Sequence, residues 1–281
     1  LNNQSYVEPI FVFVIMIIAA SKPVLDFSLT SVRAISRLLP IHKSLSLFFI
    51  TISFVPLLGS FITEPAGMTL GALLLKDHFY SKNISNKLKY AIIGTLFVNV
   101  SIGGTLTPFA APPILMVASK WNWDLTFMIT TFGWRTALAV FTNSLILTLI
   151  FKKELVNLEE PNIKPSETPL FILLLHLILL IGVIIFVHDL ILFLGIFLIF
   201  LGIANSYSQY QNKLIIKEAF LVSLFLSGLV VLGGLQKWWL QPLLNQLSPD
   251  QIYYAATALT AITDNAALTY LGSLVDGLSD Q

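Results

Sequence analysis

Two acidic residues stand in stretches that are otherwise apolar or small: Glu64 in "FITEPAGMT" at 61–69 and Asp264 in "AITDNAALT" at 261–269. A carboxylate in hydrocarbon costs a few kcal/mol, so it persists mainly where it faces a cavity, an ion or a partner. Thr63 and Thr263 precede the two acids, and Pro65 and Asn265 follow them. A cation site at membrane depth needs carboxylate oxygens, helix ends with unpaired backbone groups and small neighbours that let an ion approach. Both strings supply these features. At a water interface the same residues would serve as helix caps or loop acids.

A third stretch, "SIGGTLTPFAAPP" at 101–113, combines two glycines with three prolines and cannot form an unbroken helix. A break at membrane depth would leave backbone carbonyls and the hydroxyls of Ser101, Thr105 and Thr107 unpaired. That is tolerable only where they line a cavity or bind a ligand. The alternative is a plain kink in a structural helix. Arg135, in "FGWRTALAVF", could pair with a carboxylate, meet an anionic substrate, or snorkel to the interface. His176, in "FILLLHLILL", reads as a histidine hydrogen-bonded to a neighbouring helix sooner than as a proton relay. His188 and Asp189 read as an exposed turn.

The elements that must position these residues are membrane helices. Hydrophobic residues make up 56% of the 281-residue chain and charged residues only 11%, against about 25% charged in soluble domains. A helix needs about 20 residues to cross a ~30 Å hydrocarbon layer, and the strand alternation of a membrane barrel is absent. Apolar runs place candidate spans at 7–21, 45–75, 90–119, 125–151, 168–187, 189–204, 218–235 and 251–275. The fold class is an all-α, polytopic helix bundle. A net charge of +1 without dense basic runs gives no support to nucleic-acid binding, and the absence of cysteine excludes disulfides, thiolate metal sites and cysteine nucleophiles. No H-E-x-x-H, G-x-S-x-G or Walker lysine occurs, so neither an intramembrane hydrolase nor a self-powered pump has residues to stand on.

Lysine and arginine set the orientation. Lys22, Arg33, Arg37 and Lys43 precede the run 45–75, and Lys76, Lys82, Lys87 and Lys89 follow it, so both flanks belong in the cytoplasm. That run is therefore a re-entrant hairpin with Glu64 near its tip. Counting crossings onward makes 90–119 a broken helix and 152–167 a cytoplasmic linker. The hairpin 251–275, with Asp264 near its tip, then opens to the opposite side. "QKWWLQPLLNQL" at 236–247 reads as an interfacial helix leading into it, the counterpart of 22–43. Similar strings in opposed orientation are the signature of inverted-topology repeats, an architecture of secondary transporters. The first repeat is 1–151 and the second is 168–281, truncated after its hairpin. The chain is thus expected to be a fragment, lacking a second broken helix beyond Gln281 and sequence before Leu1. No basic region precedes the first apolar run, so a cleaved signal peptide is not expected.

These motifs resemble the ion transporter superfamily of arsenite permeases, D-type sodium/proton antiporters and divalent anion/sodium symporters. "SIGGTLTPFAAPPILM" is similar to its G-G-x-x-T-P-x-x-x-P-P broken-helix segment, and "TEPAGMTLGALLL" and "ITDNAALTYLGSLV" to its paired hairpin tips. Together with "LKYAIIGTLFVNV", the pattern is most similar to the sodium/proton antiporter branch. The resemblance implies a midplane site formed by Thr63, Glu64 and Pro65 from one tip, Thr263, Asp264 and Asn265 from the other, and Gly103, Gly104, Thr105, Thr107 and Pro108 of the broken helix. It implies alternating access in a bacterial-type inner membrane, Na+ and protons as cargo, the lipid bilayer as surroundings, no cofactor, and a homodimer. Anion symporters carry neutral Ser-Asn-Thr tips, whereas Glu64 and Asp264 favour cations. The expected function is Na+/H+ antiport, with Na+ held at Glu64 and Asp264. The alternatives are a sodium-coupled organic-anion symporter using Arg135 and a membrane scaffold that transports nothing.

Overall fold

The computed structural model describes residues 6–118, 120–158 and 168–275, and the regular elements among them are all helical. Helix α1 (Val7–Ala19) turns through 65° into α2 (Lys22–Leu38). Ser21 and Pro23 sit at that corner. α1 is apolar on every side and correspondingly buried on nearly every side. α2 is amphipathic and carries Arg33 and Arg37 toward its end. α3 (Lys43–Ile62) and α4 (Glu64–Leu75) form the first hairpin, joined by the single residue Thr63. A short π-turn, Lys76–Tyr80, leads out of it.

The expected broken helix is present. α5 (Asn86–Gly103) tightens into a 3-10 turn at Gly104–Leu106, and α6 (Pro112–Ala118) resumes after five residues without helical structure. α7 (Leu125–Met128), a π-turn at Ile129–Gly133 and α8 (Trp134–Ile150) make one apolar stretch. The short α9 (Lys152–Val156) follows. The rest of the expected linker, 159–167, lies outside the described residues. α10 (Leu170–Ile185) and α11 (Leu190–Ser206) are joined by a turn in which Asp189 accepts the backbone N–H groups of Ile191 and Leu192, both at 3.1 Å. α12 (Ile216–Gly234) leads to α13 (Lys237–Leu244), where Trp238 and Trp239 are exposed. α14 (Pro249–Thr260) and α15 (Asn265–Ser273) flank the second acidic tip, with α14 exposed along nearly its whole length.

Among the described residues four helices are long and apolar enough to cross a membrane, or five if the bent α1–α2 pair counts as one span. The chain is an all-α integral membrane protein. The run at 168–187 is shorter as a helix than as an apolar run, while the run at 189–204 shifts to begin at Leu190 and extends to Ser206. The Pro169 start and the turn before His188 take residues from the ends of the first, and the helices have 16 and 17 residues.

Among the described residues two large apolar cores divide the bundle, beside a small third of Ala111, Ile114, Ala118 and Met128. One gathers α1, α6, α10, α11 and α12; the other gathers α3, α4 and α5 with contributions from α2, α8 and α9. The broken helix belongs to both, its first half to one core and its second half to the other. Pro56, inside α3, lacks an N–H and frees the carbonyl of Ile52. The Asn99 Nδ2 group donates to that oxygen at 2.8 Å from α5, and the Ser144 hydroxyl donates at 3.0 Å from α8. A proline kink thus ties the hairpin to two neighbouring helices.

Candidate functional site

Thr63 makes the first tip possible at a local cost. Its φ of 123° and ψ of 150° fall in backbone space that is nearly reserved for glycine and costs about 1–3 kcal/mol. In return the chain reverses in one residue, and the Thr63 hydroxyl caps α4 by accepting from Ala66 N at 3.4 Å. The arms then pack backbone to backbone. A Cβ on Gly67 would stand 2.8 Å from Gly59 Cα, so α4 has no room for a side chain there, whereas a Cβ on Gly59 would meet Gly67 Cα at an ordinary 3.6 Å. Pro65 follows at the start of α4, where its missing N–H costs nothing.

Ser60 fixes this tip to the broken helix. Its hydroxyl donates to the carbonyl of Gly103 and accepts from Leu106 N at 3.1 Å, while its carbonyl accepts from the Thr107 hydroxyl. Gly103 passes so close to α3 that a Cβ would lie 2.6 Å from the Pro56 carbonyl oxygen. Glu64 N donates to Ala110 O at 3.2 Å, on the far side of the break. The Glu64 side chain lies over Gly104, where an added Cβ would come within 3.7 Å of Oε2. Half-buried, Glu64 makes no side-chain hydrogen bond or ion pair among the described residues.

The second tip is built differently. Ala261, Ile262 and Thr263 form an open turn, and Asp264 itself caps α15, its Oδ1 accepting from Ala267 N at 3.0 Å. The two acids, aligned in sequence, are therefore one cap position apart: Glu64 opens α4 and Asp264 precedes α15. A cavity of about 480 Å³ brings them together, lined by Glu64, Pro65, Ser101, Pro113, Asp264 and Asn265 among others. Both helix N-termini line it, a setting that favours bound carboxylate charge. The apolar side chains of Met68, Phe97 and Val222 complete its wall.

Several sequence-selected residues lie elsewhere. Thr105 donates to Ile102 O at 2.8 Å and meets the hydroxyl of Thr136, and Thr107 is spent on Ser60, so neither hydroxyl is unpaired as expected. Ser101 alone of the three has no side-chain hydrogen bond among the described residues, and it lines the cavity. Thr263 donates to Leu259 O at 2.9 Å, and Pro108 lines a different cavity. Arg135 is not a charge partner of either acid. The π-turn before α8 sets it on an exposed face, donating to Thr131 O at 3.1 Å with its guanidinium 5.1 Å from the Trp134 ring. His176 is buried, with Nδ1 2.8 Å from Ile172 O and Nε2 against Gln211.

A family model described as "Putative Na+/H+ antiporter" matches residues 1–281. The chain belongs to this family. Neither the curated proteins nor the solved structures yield a match. Membership makes the chain a membrane transport protein of an antiporter family, with Na+ and H+ the ions that the family name implies. For such a protein Ser60, Asn99 and Ser144 are the residues that sequence reasoning misses. The serine at 60 has ordinary local context, and its partners are 43 or more positions away. The proline at 56 is the available signal, since a carbonyl freed at 52 demands donors from elsewhere.

Proposed function

We propose that the protein exchanges Na+ for H+ across a bacterial-type inner membrane, with Glu64 and Asp264 as the shared ligands of both ions. The observation that carries this reading is the cavity lined by both carboxylates, each at a helix N-terminus, and by Ser101. Two carboxylates and a hydroxyl offer hard oxygen donors to Na+, and the same oxygens take protons. Occupancy by one ion excludes the other, which is the least that exchange requires. The two acidic tips and the break support an inverted-repeat arrangement, with residues 1–151 and 168–281 as its halves.

The residues lining this cavity include no lysine or arginine, and Arg135 is engaged elsewhere, so an organic anion would find no cationic partner there. The test is Na+-induced dequenching of a pH-sensitive dye in inverted vesicles carrying the full-length protein. Wild type is expected to dequench, and Glu64→Gln and Asp264→Asn to remain silent at equal protein level. Wild-type vesicles without Na+-dependent proton movement would overturn the reading.

A further inference from the structure

We infer that a second cavity is the vestibule through which cations on the His188 side of the membrane reach Glu64, and that Phe109 is its gate. The inference rests on the exchange reading. This cavity has a volume of about 650 Å³, room for roughly 20 waters at about 30 Å³ each. Its exposed mouth is polar. Asn122 and Asp124 come from the loop before α7 and His188 from the turn before α11, with Glu8 of α1 nearby. Asn122 adopts a φ of 54°, a turn that asparagine tolerates better than most residues. The loop is further held by Trp121 against Trp123 and by Asp124 Oδ1 accepting from Phe127 N at 2.7 Å. Carboxylates at a mouth raise the local concentration of cations.

Toward its buried wall the cavity is apolar, with Leu115, Ala118 and the residues Pro108 and Phe109 of the break. The break segment contributes to the walls of both cavities and is the proposed partition. Phe109 precedes Ala110, whose carbonyl accepts Glu64 N–H, and Pro112 and Pro113 line the ion cavity. The 3-10 turn ends at Leu106 and α6 begins at Pro112, so the partition has no helical ladder to break when it moves. It also joins the two apolar cores, one holding α5 and the other α6, which makes it the place where a displacement between them would open a path.

The sequence has no cysteine, so an introduced thiol is the sole reporter in this stretch. Leu115→Cys and Glu64→Cys, each with and without Phe109→Ala, would be exposed to a charged, membrane-impermeant methanethiosulfonate in sealed vesicles of both orientations. Leu115→Cys is expected to react from the His188 side and not from the other. Removing the Phe109 ring is expected to accelerate reaction at Glu64→Cys from that side by about tenfold or more, as opening a gate should. Phe109→Leu gives a smaller acceleration and serves if Phe109→Ala fails to fold. An unreactive Leu115→Cys beside a reactive His188→Cys would overturn the inference, as would an unchanged rate at position 64. These readouts are labelling rates, so absent Na+/H+ exchange in wild type overturns the exchange reading without deciding the vestibule.

Discussion

The two acidic tips carry nearly the same residues and solve the same turn in opposite ways. The first closes in one strained residue, buries Thr63, packs glycine on glycine and is fastened to the broken helix through Ser60. The second spreads its reversal over 261–264, leaves Ile262 85% exposed and relies on Asp264 to cap its own helix. The difference teaches that a shared motif fixes the chemistry brought to a cavity but not the stiffness with which it is held. In the first tip the acid is relieved of capping because Thr63 does it. In the second the acid does both jobs.

The comparison is broken most severely by removing the charges. Glu64→Gln and Asp264→Asn each delete one shared ligand, and each is expected to abolish Na+-driven proton movement. The fold should survive both changes, since asparagine still caps a helix. Retained exchange in either variant would show that the cavity is not the site. Glycine substitutions sharpen the contrast in packing. Gly67→Ala forces the arms of the first hairpin apart, at about 1–3 kcal/mol or more. Gly272→Ala in α15 meets nothing within 4 Å and should gain about 0.5–1 kcal/mol. Melting midpoints in detergent would read both.

Ser60→Ala leaves the Leu106 N–H without its acceptor and the Gly103 carbonyl without a donor, at about 1–3 kcal/mol. Because it loosens the tip against the break, its half-saturating Na+ concentration should rise more than its maximal rate falls. An unchanged Na+ dependence would make the serine purely structural. Arg135→Gln is the smallest change. It removes an exposed contact with Trp134 and the Thr131 carbonyl and should leave exchange within about twofold of wild type, in keeping with the small effects of exposed charges.

The acidic tips and the break are legible in the sequence because glycine, proline and lone acids are conspicuous in apolar surroundings. The lysine clusters that flank 45–75 suggest a re-entrant hairpin, yet α3 alone is long and apolar enough to cross a membrane. The direction in which side chains turn is not legible. Thr105 and Thr107 read as free hydroxyls in a Gly/Pro-rich segment, but the break rotates them onto Thr136 and Ser60. Arg135 lies well inside an apolar stretch, yet the π-turn at 129–133 shifts the helical phase and sets it on an exposed face. The one-position offset between the two acids depends on the φ of Thr63, which no residue pattern announces.

Exclusion of one ion by the other is the central claim, and proton release on Na+ binding tests it most directly. Purified full-length protein in weakly buffered detergent, titrated with NaCl against a choline chloride control, should acidify the solution with a saturable dependence on Na+. Glu64→Gln should release fewer protons or none. Saturable Na+ binding, seen by calorimetry, with no proton released from wild type would contradict the account.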